Sequence, residues 1–440
     1  LAETAAISTG RNDVAAINSV KKLSPRAVGA GMIGNVLEWY DFGLYGYLAS
    51  IIGEHFFPSA NPIASLIGAY GGFAIGFAVR PIGGAVFGHL GDRIGRQPVL
   101  IISVVMMGVA TTLIGLLPTY QQIGIWAPIL LLVIRLFQGF SVGGEFTGSV
   151  SYLVETAPMH RRGLAGSLAN VGSSTGYLLA AGLAAITVTL SEAHPELPWI
   201  WRVPFIGGGV LAMLAYWMRS RLKQTGYEPG PVGKEEHELP LKQAFGQAPR
   251  QMILAMIFTW GYGIADYLTM VFLPVYANRF GMIDEGQALT VNTASQVAAL
   301  IAIPLAGWLT DRAIRRRSML ILAFGLIFFT AVGLFQLSEG PELMHFIVAQ
   351  VAFAVFLGMI MGTAPAMLAE LFPSHFRLSG YSLAFNIGLG IGGGTAPLIA
   401  TALIGVTGNN IAAPAYLMVG CLLSIGALYL MKDRSRQPLR

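Results

Sequence analysis

Apolar positions in this chain recur neither at every second residue nor along a single helical stripe. They come as long, nearly unbroken runs: 27–50, 65–88, 98–118, 128–155, 163–189, 200–219, 251–277, 287–309, 318–336, 344–370, 379–405 and 411–431. A bilayer core takes about 20 mostly apolar residues per helical crossing. Barrel strands need only about 10 and alternate sharply, so these runs are helices. The pattern predicts an all-α polytopic membrane protein of twelve transmembrane helices. The longest polar interval, 220–250, holds Arg221, Lys223, Lys234, Glu235, Glu236, Glu238 and Lys242 and divides the spans six and six. The expected organisation is a cytosolic tail 1–26, a six-helix bundle 27–219, a cytosolic loop 220–250, a second bundle 251–431 and a cytosolic tail 432–440.

Composition agrees. Of 440 residues, 54% are hydrophobic and 11% charged, less than half the usual soluble share of about 25%. The 55 glycines follow no collagen-like period. A single cysteine, Cys421, excludes a disulfide scaffold and a Cys-based metal cluster. The polar, basic segment 1–26 leads into an apolar run with no small-residue cleavage site, so the first helix is read as retained. Nearly all of the 27 Lys and Arg lie in the N-terminal tail, the even-numbered loops or the C-terminal tail. Arg80, Arg135 and Arg202 lie within or at the edge of spans, and Arg279 sits in an odd-numbered loop. The positive-inside rule therefore puts both termini in the cytoplasm. It also removes nucleic acid as a partner, because the basic residues are topology signals rather than a patch.

The halves repeat. Gly307-Trp-Leu-Thr-Asp311-Arg312 follows span 8 as Gly88-His-Leu-Gly91-Asp92-Arg93 follows span 2. Glu155-Thr-Ala-Pro158 with Arg162 ends span 4, and Glu370-Leu-Phe-Pro373 with Arg377 ends span 10. Two six-helix repeats related by an axis along the membrane normal are a transporter architecture, with the substrate site between them near mid-membrane.

Residues 88–97, Gly88-His-Leu-Gly91-Asp92-Arg93-Ile-Gly95-Arg96-Gln97, resemble the loop 2–3 signature of the major facilitator superfamily, and Arg135-Leu-Phe-Gln138-Gly139 resembles its span 4 signature. More narrowly, the segments around Glu38-Trp39-Tyr40-Asp41, Arg80-Pro81, Gly143-Gly144-Glu145 and Trp201-Arg202 are similar to the metabolite:proton symporter family. Those are bacterial permeases for citrate, 2-oxoglutarate, shikimate, and proline or betaine. The resemblance implies the major facilitator fold and a usually monomeric carrier.

In that fold Asp92 faces the start of span 11, near Ser379 and Gly380, and Asp311 faces the start of span 5, near Gly163. A carboxylate is stabilised at a helix N-terminus, so both contacts would hold the cytosolic side shut. Arg93, Arg96, Arg312, Glu155, Arg162, Glu370 and Arg377 belong to the same gate motifs. Glu38 and Asp41 share a face of span 1, and Arg135 is placed in the apolar body of span 4, where a charge needs a partner or a wet cavity. Together they form an acid–arginine network in which movement switches protonation. Glu145 either joins it or pairs with another helix. Asp266, beside Tyr262 and Tyr267, departs from the family pattern. It is a second protonation site or a counter-ion for a cationic part of the substrate. Arg80 and Arg202 are candidates for binding a carboxylate through paired hydrogen bonds, although Arg202 near the outer end of span 6 could equally anchor at headgroups. Asn35, Tyr40, Gln138, Tyr262, Tyr267 and Asn386 offer neutral hydrogen bonds.

Other pattern matches are declined. Gly388-Leu-Gly390-Ile-Gly-Gly393 fits the dinucleotide fingerprint but has no strand before it. Gly139-Phe-Ser141-Val-Gly143 lacks the strand–turn context of a hydrolase elbow. No histidine lies clearly mid-span, and no phosphate loop is present, so neither a metal, a cofactor nor ATP is expected. The expected function is therefore that of a proton symporter, not an enzyme, importing a small organic acid, a di- or tricarboxylate, by alternating access. The alternative solute is a zwitterion such as proline or betaine, which Asp266 with its aromatic neighbours would suit. A channel would not need paired gate motifs, and a sensor would need an output domain.

Overall fold

The computed structural model describes residues 25–94, 96–221, 246–374 and 376–439. Most of the expected tail 1–26 and loop 220–250 lies outside the described residues. Among those described, every regular element is helical. Eleven spans are long and apolar enough to cross a bilayer. They are α2 (Pro62–Gly84), α3 (Pro98–Leu116), α4 (Trp126–Thr156), α5 (Met159–Ala193), α6 (Ile200–Ser220), α7 (Pro249–Arg279), α8 (Glu285–Arg312), α9 (Arg316–Leu337), α10 (Leu343–Leu371), α11 (Arg377–Thr407) and α12 (Ala412–Leu430). Ahead of them α1, Pro25–Tyr47, runs for 23 residues and packs against α5 and α6. The twelve-helix architecture expected from the apolar runs is the observed one.

Helix boundaries follow local chemistry. Asn61 caps α2, its Oδ1 accepting from Ile63 N at 2.9 Å with Pro62 in the first turn. Asp284 caps α8 by accepting from Gln287 N at 3.2 Å, and α11 ends at Gly408 with φ of 62°, a left-handed cap that glycine tolerates. The polarity of the fold is inverted relative to a soluble protein. Met213, Ile301, Phe329 and Val406 are exposed on its outside, whereas Arg80, Arg135, Gln138, Asp266, Asn292 and Gln350 are buried within.

Besides α1, which pauses at Leu48 and continues as Ala49–Phe56, three of the spans are interrupted. The helix of α2 pauses at Val79 and resumes at Arg80; Pro81, which lacks an N–H, cannot continue the ladder through that turn. In α4 the helix stops at Ser141 and restarts at Glu145, across Gly143-Gly144, whose backbone loses the most conformational freedom in a helix and so breaks it readily. In α7 the segment Tyr267–Phe272 is a π-helix. It leads into Pro274, so a carbonyl one turn earlier has already lost its donor.

The halves meet along α5 against α8 and α10, and α2 against α11. Small residues permit the approach: at Gly163 of α5 the backbone touches that of Gly307 of α8, leaving no space for a side chain at either.

Candidate functional site

Four charged side chains that are 1% exposed or less lie in the N-terminal half as two separate pairs. Arg80 donates through Nη2 to Glu38 Oε1, and each side chain is 1% exposed. The pause in α2 just before Arg80 turns the guanidinium inward, over the rings of Phe42 and Phe77 at 5.3 and 5.1 Å. Arg135 stands 3.7 Å from Asp41 and donates to Gln138 Oε1 at 2.5 Å. Gln138 donates to Thr111 Oγ1 at 3.1 Å, and Thr111 donates to Asp41 Oδ1 at 2.6 Å. The result is a closed ring Asp41–Thr111–Gln138–Arg135. The arginine is also roofed by Tyr45, its Cζ 4.2 Å from the ring centroid.

Asp41 and Arg135 therefore come together as the sequence suggested, and Gln138 joins them. Glu38, expected in the same network, takes Arg80 instead. Glu145 pairs with Arg219 of α6, whose Nη1 donates to it at 3.1 Å. It belongs to another helix contact and not to the central network.

Asp266 is the isolated charge. It is fully buried, and neither carboxylate oxygen has a hydrogen-bond partner among the described residues. Tyr177 of α5 lies beside it, and Tyr267 follows it at the start of the π-helix. The Tyr267 ring sits 5.3 Å from Phe73, 5.2 Å from Phe77 and 6.4 Å from Trp39, all on the opposite half. Trp39 lies 5.3 Å from Tyr177. Tyr262 is buried near Phe258 and Phe385. A polar layer flanks the π-helix: Gln350 Nε2 donates to Thr269 O at 3.0 Å and to Asn292 Oδ1 at 2.8 Å.

Other candidates are engaged elsewhere. Arg202 donates to Gly115 O at 2.8 Å and Leu117 O at 2.6 Å, and stacks on Trp201. It ties α6 to the end of α3 and does not reach the central charges. The Tyr40 hydroxyl donates to Pro204 O at 2.6 Å. Asn35 donates to Ser149 Oγ at 3.1 Å. Asn386 of α11 donates to Gly143 O at 3.1 Å, a contact between halves at the break in α4.

Contacts between halves continue at the end expected to face the cytosol. Asp311 accepts from Gly163 N at 2.7 Å and Leu164 N at 2.8 Å, at the start of the α5 helix proper, and from Arg316 at 3.0 Å. Arg377 donates to Glu155 at 2.6 Å. Arg162 lies 3.8 Å from Glu370, which also accepts from Arg316. Arg312 is placed over the Trp308 ring, outside this cluster. The side chains of Asp92, Arg93 and Arg96 lie outside the described residues. At the opposite end Arg279 stands 3.5 Å from Glu54, and Gln296 donates to Tyr47 at 3.4 Å. Both ends carry contacts between halves with the buried charges between them, an occluded arrangement.

Sequence reasoning missed Arg219, Arg316, Thr111 and Trp39. Arg316 stands in the run Arg315-Arg316-Arg317, and Arg219 closes a span; each has the look of a topology charge. Nothing local marks Thr111 inside its apolar run.

Two family models cover the chain: residues 28–225 match the one described as sugar (and other) transporter, and residues 262–440 match the one described as major facilitator superfamily. The glycine betaine/proline/ectoine/pipecolic acid transporter OusA of Dickeya dadantii is 34% identical over 94% of this chain and 84% of its own length. The proline/betaine transporter of Escherichia coli is 32% identical over 94% of this chain and 85% of its own. The shikimate transporter of Escherichia coli is 33% identical over 93% and 95%. Among solved structures, a D-xylose-proton symporter superposes with a TM-score of 0.70 over 94% of this chain and 99% of that one, at 17% identity.

Proposed function

Since the chain belongs to the major facilitator superfamily, in its metabolite:proton symporter branch, we propose that it imports a zwitterionic osmolyte of the betaine or proline kind together with protons. The carrier resides in a bacterial inner membrane with both termini in the cytoplasm, as the distribution of basic loops supports. The observation that carries the choice of solute is the pairing of the buried arginines. Arg80 already faces Glu38 and Arg135 already faces Asp41, while Arg202 is tied to backbone carbonyls. A di- or tricarboxylate would need two or three cations free of carboxylates, and among the described residues this arrangement holds none at its centre. The expectation of such an acid gives way to its alternative, in line with the solutes named for the relatives OusA and the proline/betaine transporter.

A single carboxylate does fit. When it takes part of Arg80, Glu38 loses its counter-charge, and a buried carboxylate without one is costly unless it gains a proton. Solute and proton then enter together, which is the linkage a symporter requires. Asp41, held by Arg135, Thr111 and Gln138, is the second proton-carrier candidate. Asp311, Glu155–Arg377 and Arg162–Glu370 would act as the cytosolic latch, broken and remade in each cycle.

Shikimate-like acids form the second reading, favoured by the E. coli shikimate transporter relative. They carry one carboxylate but no cation for Asp266. The deciding experiment is uptake by proteoliposomes of betaine, proline, shikimate, citrate and 2-oxoglutarate, with the pH varied on each side. Saturable betaine or proline uptake driven by external acid supports the proposal. Uptake indifferent to the pH gradient removes proton coupling, and uptake of citrate alone removes the zwitterion.

A further inference from the structure

Buried polar atoms without partners occur on both halves, the free oxygens of Glu38 and Asp41 beside their arginines included. Among the described residues, Arg80 Nε and Nη1 and Trp39 Nε1 are unpartnered donors near the centre on the N-terminal half. On the C-terminal half both oxygens of Asp266 lack a partner, with the Tyr177 hydroxyl beside them. Arg80, Trp39 and Asp266 are each 2% exposed or less. Buried polar groups are rarely left unpaired, because each costs about 1–3 kcal/mol or more. Such a set in one place marks where something else binds.

Contiguous aromatic contacts connect the two poles. The Arg80 guanidinium lies 5.1 Å from the Phe77 centroid, Phe77 lies 5.2 Å from Tyr267, and Tyr267 adjoins Asp266 in the chain. Trp39 faces both Tyr267 at 6.4 Å and Tyr177 at 5.3 Å. Aromatic faces beside a carboxylate attract a methylated ammonium, which needs no hydrogen-bond acceptor. Guanidinium and indole N–H suit a carboxylate.

We propose that the binding site is polarised across the two halves. The solute's carboxylate lies against Arg80 and Trp39 of the N-terminal half, and its ammonium lies against Asp266 among the rings of Trp39, Tyr177 and Tyr267. The assignment rests on the zwitterion reading and adds to it the direction of the bound solute and the residue that selects its cation. Binding then clamps one half to the other through a single molecule, with opposite charges at its two ends.

The test is competition for radiolabelled betaine in counterflow, without a pH gradient, in proteoliposomes of the full chain. The probes are 3,3-dimethylbutanoate, in which carbon replaces the quaternary nitrogen, and choline, which lacks the carboxylate. In the wild type each competes about 30-fold more weakly than betaine, the factor set by one lost charge-assisted contact, to Asp266 for the first probe and to Arg80 for the second. Asp266→Asn brings betaine down to the level of 3,3-dimethylbutanoate and leaves that analogue's competition unchanged. Arg80→Gln brings betaine down to the level of choline. Parity of betaine and 3,3-dimethylbutanoate in the wild type overturns the assignment without recourse to any variant, as does an Asp266→Asn protein that keeps the wild-type ratio. A wild type that exchanges no betaine removes the zwitterion reading and the assignment together, whereas exchange without discrimination removes the assignment alone.

Discussion

Asp311→Asn is the most direct probe of the latch. The carboxylate is 3% exposed in its contact with Arg316 and receives two backbone N–H groups from the start of the α5 helix proper, at 2.7 and 2.8 Å. Asparagine keeps one acceptor oxygen for one of those donors. It loses the charge, loses the second N–H contact and turns an NH₂ towards Arg316 or Leu164. A partly buried charge at a helix N-terminus is worth up to about 2 kcal/mol, and one hydrogen bond to a charged group about 1.5–3 kcal/mol. These contributions overlap, so a loss of about 2–4 kcal/mol from the closed state is expected. That is a shift of roughly 30- to 1,000-fold towards opening at this end. The assay uses the single, buried Cys421, replaced by serine, with a reporter cysteine at Ala366. Ala366 is fully buried on α10 and faces Gly166 of α5, so it is reached only when the halves part. Labelling by an impermeant thiol reagent in inside-out vesicles accelerates by at least about tenfold if the latch reasoning holds. An unchanged labelling rate in a folded Asp311→Asn protein would falsify it.

Four further outcomes are expected. Glu38→Gln abolishes the response of uptake to the pH gradient while betaine exchange persists, measured as uptake against counterflow; a retained pH response assigns the proton elsewhere. Thr111→Val preserves shape but removes the donor to Asp41 and the acceptor of Gln138, so uptake falls about tenfold, the equivalent of one buried hydrogen bond. Glu145→Gln leaves Arg219 buried with a weaker partner and costs about 3 kcal/mol of stability, read as thermal aggregation in detergent. Adding Arg219→Met restores much of that loss. Asp433, in the segment after α12, is opposed by burial, but hydrogen bonds from Ser435 and from the Arg317 backbone, with Arg316 nearby, hold its carboxyl below the usual range. Its contribution is present above the ordinary carboxylate pKa and lost as pH falls through the lowered one. Asp433→Asn should therefore lower thermal stability at neutral pH and have no effect in strong acid.

The helices were legible from position along the chain alone, and the latch from motifs that resemble those of a known family. Hydrocarbon excludes charge from spans of known length, and a repeated Glu-x-x-Pro with a following arginine announces itself twice. Asp311 meets the start of α5 as the resemblance led one to expect. What escaped were pairings set by how one helix is rotated against its neighbour. Glu38 and Asp41 share a face, yet the pause at Val79 brings Arg80 to the first while Arg135 reaches the second. Arg316 and Arg219 are indistinguishable in sequence from loop charges that only fix topology. The π-helix after Asp266 has no residue signature beyond a proline further on.

The gap in α4 between Ser141 and Glu145 divides one membrane span into two mechanical pieces. Arg135 and Gln138, which hold Asp41, ride on one piece, and Glu155, which faces Arg377, rides on the other. A jointed rod transmits little torque, so alterations that retune the chamber need not disturb the door.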